Sequence, residues 1–518
     1  MLNIFGLVKM INTNKDQFIQ KDEVQNFIKK QKSPSVFNEY LQSINDQVNV
    51  WEFQEQMGQI AWEAKEKTGS EATIEFKKKK YNKEYEKCSL EAINEMRDEA
   101  YGLYGYKAAD KNAFNQLFAS LLKESIKEGS MDMVFAKLRD LEITQPISEE
   151  YIRESKAYDI MLPLGVTLSR DIDWSNSREI FKYLTFDETT FANTPKENLP
   201  EGYDPQQVFD NGKSIGLGVA EVHDMGYTGE GVSYAIIDSG VAPHDDIHFK
   251  EYRVSDYADK EQINHFHGSA VSYIAQEIAP QAELYYYAQQ NGYGMEAPVL
   301  DNLKAILEKN KTLPDNQKIR FISMSMPLYG GDEAKQVAAE LEAQGVWIFY
   351  SGCPEDNQFG YMGKVDPMAS SDDFDNYLIE GGSNVMIMPN GERIVNKREG
   401  RYLYVNSGDR TVPDPSSPTA YRHDSRASQS WSIPTIAGYY SLACQADPTM
   451  TKERFMRLAD ETAQVKQSTM PIIQCVGDPN NEEDWVVVGR TEETTDMKIL
   501  DIKALLQAIE NEKTQSAE

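Results

Sequence analysis

The chain has 518 residues, which predicts two to four domains at about 100–200 residues per domain. Asp and Glu number 83 against 53 Lys and Arg, so the formal net charge is −30. This charge argues against binding to nucleic acid or to an anionic membrane, because both are negative and attract Lys and Arg. Hydrophobic residues make up 40% of the chain, which is typical of a folded globular protein rather than of a disordered one.

The four cysteines are too few and too irregularly spaced to indicate a disulfide framework or a zinc site. We therefore expect buried thiols in a reducing compartment. The first residues lack the basic stretch of a secretory signal, and no window approaches the ~18 uninterrupted apolar residues that span a bilayer. The sequence predicts a cytoplasmic protein.

Residues 1–160 are predicted to form a mainly helical domain, since apolar residues recur near the 3.6-residue spacing of a helix. Candidate helices lie at 84–104, 111–128 and 131–141, and Asp110 is a predicted N-cap. Residues 161–214 contain several prolines among Gly and Asn, which favours an extended connector rather than a helix.

From residue 215 onward, short apolar runs alternate with helical stretches, which predicts an α/β domain with a mostly parallel sheet. Candidate strands are 232–237, 283–288, 319–324, 346–350 and 402–405. Candidate helices are 268–276, 296–309, 332–344, 432–446 and 451–463. Strands this apolar are typical of a sheet that is covered on both faces. We expect this domain to occupy residues 215–512 and to precede a disordered tail at 513–518.

Three short motifs carry side chains that are capable of catalysis. Asp238 ends the first candidate strand, and reactive groups collect at the carboxyl ends of parallel strands. His267 lies at a predicted helix start beside Gly268. Ser430 begins an apolar helix, where free N–H groups and the helix dipole stabilise an oxyanion. Each motif alone is a weak signal, because an Asp in a turn, a lone His and a Ser near a helix start are common structural features.

Together, the Asp, His and Ser motifs in this order resemble the subtilisin family of serine peptidases. The resemblance covers about residues 215–465 and includes Ala-Pro-x-Ala-x-Leu-Tyr at 279–285 and Ile-Pro-x-Ile-Ala-Gly after the serine. It implies a subtilisin-like three-layer fold with a mostly parallel central sheet. It also implies that Ser430 is the nucleophile, that His267 is the general base and then the acid, and that Asp238 orients the imidazole.

The resemblance further implies two edges that bind an extended peptide. One edge comprises Ser325, Met326, Pro327, Ser351 and Gly352. The opposite edge comprises Gly292, Tyr293 and Gly294, where a substrate pairs as an added strand.

Two departures from the family concern the oxyanion site. Cys353 stands where the family has an asparagine that donates to the oxyanion, and a thiol is a weak donor. Losing such a donor lowers the rate by about 10²–10³, unless the nearby Asn357 substitutes, while the backbone N–H of Ser430 remains. Ser428-Gln429 replaces the usual Gly-Thr, and the Ser428 side chain either crowds the oxyanion region or faces away.

A narrower resemblance is to intracellular subtilisin-like peptidases of Firmicutes, which share the Pro-Glu-Gly-Tyr-Asp-Pro connector and the Ser-Trp-Ser-Ile-Pro block and lack the oxyanion asparagine. The expected function is a bacterial serine endopeptidase that acts on peptides or proteins. The alternative is a catalytically weak or inactive subtilisin-like protein that binds peptides and regulates. We expect the helical N-terminal region to bind a protein partner.

No cofactor is expected, and calcium is the alternative. The candidate calcium ligands are the acidic residues at 372–375 and 478–484, although neither segment has the spacing of a dedicated calcium loop.

Overall fold

The computed structural model describes most of the chain from residue 184 onward and shorter stretches before it. The described residues are 18–31, 34–49, 104–108, 110–128, 133–141, 184–191, 194–260, 263–290, 294–353, 358–388, 391–398, 402–425, 427–475 and 485–517, with single residues or short groups at 11, 53, 56–57, 59–61, 64, 67, 96–97, 100–101, 160–161, 174–175 and 181. Two compact units are present: residues 1–103 with 292–294, and residues 104–291 with 295–518.

The first unit contains a short antiparallel strand pair and two helices. The strands are β1 (Phe18–Gln20) and β2 (Gln47–Asn49), and the helices are α1 (Lys21–Lys30) and α2 (Asn38–Ser43). Gln20 and Glu23 form a capping box at the start of α1. Apolar side chains of these elements, including Val24 and Phe27, form a small core of their own.

The second unit begins with two helices that were expected from the sequence. They are α3 (Lys111–Glu128) and α4 (Met133–Asp140), and two short strands follow them, β3 (Ile160–Met161) and β4 (Leu184–Asp187). Asp110 accepts a hydrogen bond from the backbone N–H of Ala113 at 2.7 Å, as an N-cap does. The candidate helix at 84–104 lies mostly outside the described residues.

A five-stranded parallel sheet forms the centre of the second unit. Its strands are β5 (Ser233–Asp238), β6 (Glu251–Val254), β7 (Glu283–Ala288), β8 (Ile319–Met324) and β9 (Trp347–Tyr350), in the spatial order β6-β7-β5-β8-β9. The α/β fold and the parallel sheet that the sequence predicted are therefore confirmed. Strand β6 was missed, because it lies at the edge and its side chains are half-buried or exposed and partly charged, so they form no apolar run.

Helices cover both faces of this sheet. They are α7 (Phe266–Ile278), α8 (Glu296–Thr312), α9 (Gly331–Glu342) and α10 (Gln429–Ala446). Alternate strand residues face opposite cores: Tyr234 and Ile236 pack in the core that includes α7 and α10, whereas Ala235 and Ile237 pack in the core that includes α8 and α9. Because both faces are buried, every residue of β5 is buried, and residues 234–237 form a continuous apolar run.

A seven-stranded mixed sheet and a four-stranded sheet complete the second unit. The first contains β10 (Phe359–Lys364), β11 (Tyr377–Gly381), β12 (Asn384–Ile387), β13 (Arg393–Asn396), β14 (Leu403–Asn406), β17 (Gln464–Cys475) and β18 (Trp485–Ile499), in the order β11-β10-β14-β18-β17-β12-β13. The second contains β15 (Arg410–Pro413) and β16 (Tyr421–Asp424), which pair in the order β15-β16-β4-β3. The candidate strand at 402–405 is thus β14, and it belongs to the mixed sheet.

Two expectations about irregular segments are wrong. The connector 161–214 contains helix α5 (Pro205–Lys213), followed by α6 (Val219–Asp224). Asp204 caps α5 by accepting the N–H of Gln206 at 3.0 Å, and Pro205 occupies the first turn, where its missing N–H removes no helical bond. The expected disordered tail at 513–518 is instead helical through residue 517.

The C-terminal helices pack on the second unit. They are α11 (Lys452–Thr462) and α12 (Ile502–Ala517). Lys513 of α12 donates to the carbonyl oxygen of Ala446 at 3.0 Å, which holds the end of this helix on the body of the unit. Among the described helices, none is long and apolar enough to cross a membrane.

Candidate active site

Asp238 lies at the carboxyl end of the central strand β5, with only 1% of its surface exposed. Its Oδ1 accepts the backbone N–H of Ser239 at 2.7 Å and lies 2.6 Å from Nδ1 of His267. A carboxylate in this position favours the imidazole tautomer that carries its proton on Nδ1. The other ring nitrogen, Nε2, is then unprotonated and able to accept a proton.

His267 lies in the first turn of α7, close to the end of β5, because Gly268 permits this approach. A Cβ at Gly268 would come within 2.6 Å of the carbonyl oxygen of Ser239. The N–H of Gly268 donates to the Ser239 hydroxyl at 2.9 Å, which ties the start of α7 to the strand end. The glycine is therefore required for this close approach of the two backbone segments.

The hydroxyl of Tyr286, on the neighbouring strand β7, supports the same turn. It donates to the carbonyl oxygen of Ser239 at 2.5 Å. Burial and the nearby Asp238 carboxylate raise the pKa of Tyr286 well above its usual value, so the phenol stays protonated and remains a donor. Ser239 and Tyr286 were not predicted as site residues, since the sequence shows only a turn and an apolar strand there.

Ser430 lies in the first turn of α10, next to Trp431, whose ring stacks on the imidazole of His267. The ring centroids of Trp431 and His267 are 5.3 Å apart, with an angle of 28° between the planes. This contact brings the start of α10 to the Asp238–His267 pair. The turn that bears Ser430 therefore lies beside the Asp238–His267 pair, at the carboxyl end of the parallel sheet.

The proline in α10 leads to a contact between Ser430, the predicted nucleophile, and a predicted substrate-binding residue. Pro434 has no N–H, so the carbonyl oxygen of Ser430, four residues earlier, lacks its helical partner. The hydroxyl of Ser325 donates to that carbonyl at 2.9 Å instead. Ser325 thus anchors the first turn of α10 to the end of β8.

One predicted substrate-binding edge is brought together in the structure. The backbone N–H of Ser351 donates to the carbonyl oxygen of Met326 at 3.1 Å. This bond joins the segment of Ser325, Met326 and Pro327 to the segment of Ser351 and Gly352. Of the opposite edge, Gly292 and Tyr293 lie outside the described residues. Gly294 belongs to the unit of residues 1–103 and adopts a left-handed conformation, with φ of 79°.

Two backbone N–H groups of the expected oxyanion region donate to acceptors within the protein itself. Cys353 is 1% exposed, and its backbone N–H donates to the carbonyl oxygen of Tyr350 at 3.0 Å, in the turn after β9. Asn357 lies outside the described residues. The backbone N–H of Ser430 donates to the hydroxyl oxygen of Ser428 at 3.1 Å. The Ser428 side chain therefore faces the N–H of Ser430 rather than away from it.

The first candidate calcium segment is held by contacts within the protein. Asp372 accepts the N–H of Gly218 at 2.9 Å, Asp373 accepts that of Asp375 at 2.9 Å, and the carbonyl oxygen of Asp375 accepts a bond from Lys466. The second segment, 478–484, lies outside the described residues. Across the part of the chain that the structure describes, no group of three or more His, Cys, Asp or Glu side chains is arranged to hold a metal ion.

No family model matches the chain, and a search of curated proteins found no significant match.

Proposed function

We propose that the protein is a serine endopeptidase of the subtilisin type, which hydrolyses peptide bonds through Ser430, His267 and Asp238. The observation that carries the proposal is the 2.6 Å contact between Nδ1 of His267 and the buried Asp238, beside the helix turn that bears Ser430. A buried carboxylate, an imidazole that it orients and an adjacent serine are the three parts of an activated nucleophile.

The reaction that this geometry supports proceeds in two halves. The hydroxyl of Ser430 attacks the scissile carbonyl carbon while Nε2 of His267 takes its proton, and Asp238 stabilises the resulting imidazolium. The C–N bond then breaks, and the imidazolium gives the proton to the leaving amine. Water deprotonated by His267 attacks the acyl group on Ser430, which releases the carboxylic acid and restores the serine hydroxyl.

The proposal includes the wider setting that the family resemblance implies. The subtilisin-like domain would span residues 215–512, with peptide or protein substrates bound along the segments that contain Met326 and Gly352. The mainly helical region 1–160 would regulate or bind a protein partner, in the cytoplasm and without a cofactor. The negative charge supports the absence of nucleic-acid or membrane partners.

A second candidate function is a catalytically weak or inactive subtilisin-like protein that binds peptides and regulates. Two observations favour it: Cys353 is a weak hydrogen-bond donor, and the N–H of Ser430 is already bonded to Ser428. A site that lacks both oxyanion donors would still bind a peptide, but only its remaining groups would accelerate the hydrolysis.

Covalent labelling distinguishes these two functions. We expect a fluorophosphonate to label the full-length protein at Ser430, and the label to be absent from Ser430→Ala. Asp238→Asn should slow labelling by about 10⁴, because the imidazole then adopts the wrong tautomer. The matched control is Ser432→Ala, which removes a hydroxyl from the same helix two residues later and should be labelled at the wild-type rate. Equal, negligible labelling of the wild type and Ser430→Ala would contradict the peptidase and support the binding protein.

A further inference from the structure

The N-terminus of α10 presents a backbone N–H beside the proposed nucleophile, and that N–H is already engaged. Ser428 is the N-cap of α10, in an extended conformation with φ of −144° and ψ of 145°. Its hydroxyl oxygen accepts the N–H of Ser430 at 3.1 Å. Serine caps helices in this way because the first N–H groups of a helix have no helical partner.

The same N–H is the natural donor to the reacting substrate. When Oγ of Ser430 attacks a carbonyl carbon, the carbonyl oxygen becomes negative close to the backbone N–H of Ser430. Backbone N–H groups at this position stabilise the tetrahedral intermediate, provided that they point to the oxygen at 2.7–3.1 Å. In the structure the Ser428 oxygen occupies the acceptor position of this N–H, so a substrate oxygen and the Ser428 hydroxyl compete for one donor.

We propose that Ser428 closes the oxyanion site in the resting protein, and that its side chain rotates away before the tetrahedral intermediate forms. The inference rests on the proposed peptidase function and names a residue that sets its rate. Ser428 acts through the N–H of Ser430, so it is a positioning residue rather than a catalytic one.

The residues around Ser428 explain why this closure affects the rate and why it is reversible. Cys353, which the family resemblance implies as the other oxyanion residue, is buried, and its thiol is a weak donor. Of the Cys353 thiol and the backbone N–H of Ser430, the N–H is therefore the stronger donor. In the described part of the chain the Ser428 hydroxyl forms no second hydrogen bond, so rotation to another staggered position breaks only one neutral bond. A developing oxyanion is a stronger acceptor than a hydroxyl, because charge-assisted bonds are about twice as strong as neutral ones.

Removing the Ser428 hydroxyl tests the closure directly. We expect Ser428→Gly and Ser428→Ala to raise the rate of Ser430 phosphonylation and kcat for a peptide substrate by about 2- to 10-fold, which is the range of one neutral hydrogen bond. KM should stay unchanged, because the bond competes only with the tetrahedral state. Glycine is an adequate N-cap whereas alanine is a poor one. A rate increase in both variants would therefore result from the loss of the Ser428 hydroxyl and not from a change in the stability of α10.

A peptide aldehyde supplies a second readout, because it forms a tetrahedral adduct with the serine. Its affinity should increase in Ser428→Gly by the same factor as kcat, while the affinity of the matching product peptide stays constant. Ser432→Ala is the control for a disturbed helix start, since the Ser432 hydroxyl donates to the carbonyl oxygen of Ser428 at 3.4 Å. It should leave both quantities at the wild-type value.

The outcomes separate this inference from the function on which it rests. If the wild type is labelled at Ser430 and neither variant is faster, the closure is wrong and the peptidase stands. A slower Ser428→Gly would also overturn the closure, because the hydroxyl would then be a donor to the oxyanion. Absence of labelling in the wild type and in both variants would overturn the peptidase and the closure together.

Discussion

The imidazole of His267 is held on two sides by different physical interactions. Asp238 bonds to one edge of the ring, and the indole of Trp431 lies against its face. Trp431 is 3% exposed, whereas 28% of the His267 side chain is exposed, so the imidazole is a partly exposed ring stacked on a buried one. During the proposed reaction the imidazole becomes a cation, and a cation over an aromatic face is stabilised by about 0.5–1 kcal/mol at a partly exposed site.

Replacing Trp431 should therefore affect the rate according to the aromatic character of the new residue. We expect Trp431→Leu to lower the rate of Ser430 labelling by about 2- to 5-fold, which corresponds to the loss of this stabilisation. Trp431→Phe retains an aromatic face and should lose less. The rates are to be measured well below the melting temperature of each variant, because truncating a buried indole also destabilises the core. Equal losses in the two variants would show that the aromatic face contributes nothing.

At the scale of elements, helix α5 packs against the four-stranded sheet through a glycine. A Cβ at Gly212 would come within 2.9 Å of Nδ1 of His423 on β16, so only a glycine allows this contact between α5 and the sheet. His423 is 2% exposed and lies against the ring of Phe186 on β4. Burial, and then the positive charge of Lys364, lower the pKa of His423 to about 3. The imidazole is therefore neutral in the folded protein at all but strongly acidic pH.

This buried imidazole predicts a specific loss of stability in acid. An unfolded chain binds a proton at His423 below about pH 6.5, whereas the folded protein binds it only below about pH 3. Between these values the unfolded state carries more protons, so the free energy of unfolding falls as the pH falls, by up to about 1.4 kcal/mol per pH unit from this group.

Urea unfolding of the full-length protein between pH 7 and pH 4 measures this effect. His423→Gln removes the titrating group, and its free energy of unfolding should decrease less steeply with acidification than that of the wild type. The difference between the two slopes isolates His423 from the carboxylates that also titrate in this range. Parallel slopes would mean that His423 is protonated in the folded protein.

At the scale of the whole molecule, one helix connects the proposed site to two sheets. Helix α10 carries Ser430 at its start and packs against both β8 of the parallel sheet and β14 of the mixed sheet. Its buried residues, including Ile433 and Tyr440, share one core with side chains of β14 such as Leu403. The position of Ser430, the proposed nucleophile, therefore depends on both sheets, although the sequence around Ser430 indicates only the helix start.

The net charge of −30 also acts at this scale, through long-range attraction of oppositely charged substrates. We expect kcat/KM for a basic peptide to exceed that for an acidic peptide with the same residues beside the scissile bond. The ratio should decrease as ionic strength rises, because the Debye length shrinks from about 30 Å at 0.01 M to about 8 Å at 0.15 M. Peptide hydrolysis measured across this range checks the prediction. A ratio that does not change with salt would indicate a local pocket preference instead.

Much of the central sheet follows from local sequence because its strands are buried on both faces. The predicted strands 283–288 and 319–324 coincide with β7 and β8, since most residues of both strands are apolar and buried. The long pair β17 and β18 was not predicted, because many of its residues are polar and half exposed. Its register comes from pairing between distant segments, which a local pattern does not record.

The sequence by itself determined the α/β class, most strands of the central sheet and the local contexts of Asp238, His267 and Ser430. These features depend on residue spacing and on short-range backbone preferences, which are visible along the chain. Only the tertiary structure decided that Trp431 stacks on His267 and that Ser325 donates to the Ser430 carbonyl oxygen, which Pro434 leaves without a helical donor. The same holds for the Ser428 side chain, which faces the N–H of Ser430. Each of these contacts depends on side-chain direction or on segments distant in sequence. Several side-chain rotamers are compatible with the local sequence, and packing in three dimensions selects one of them.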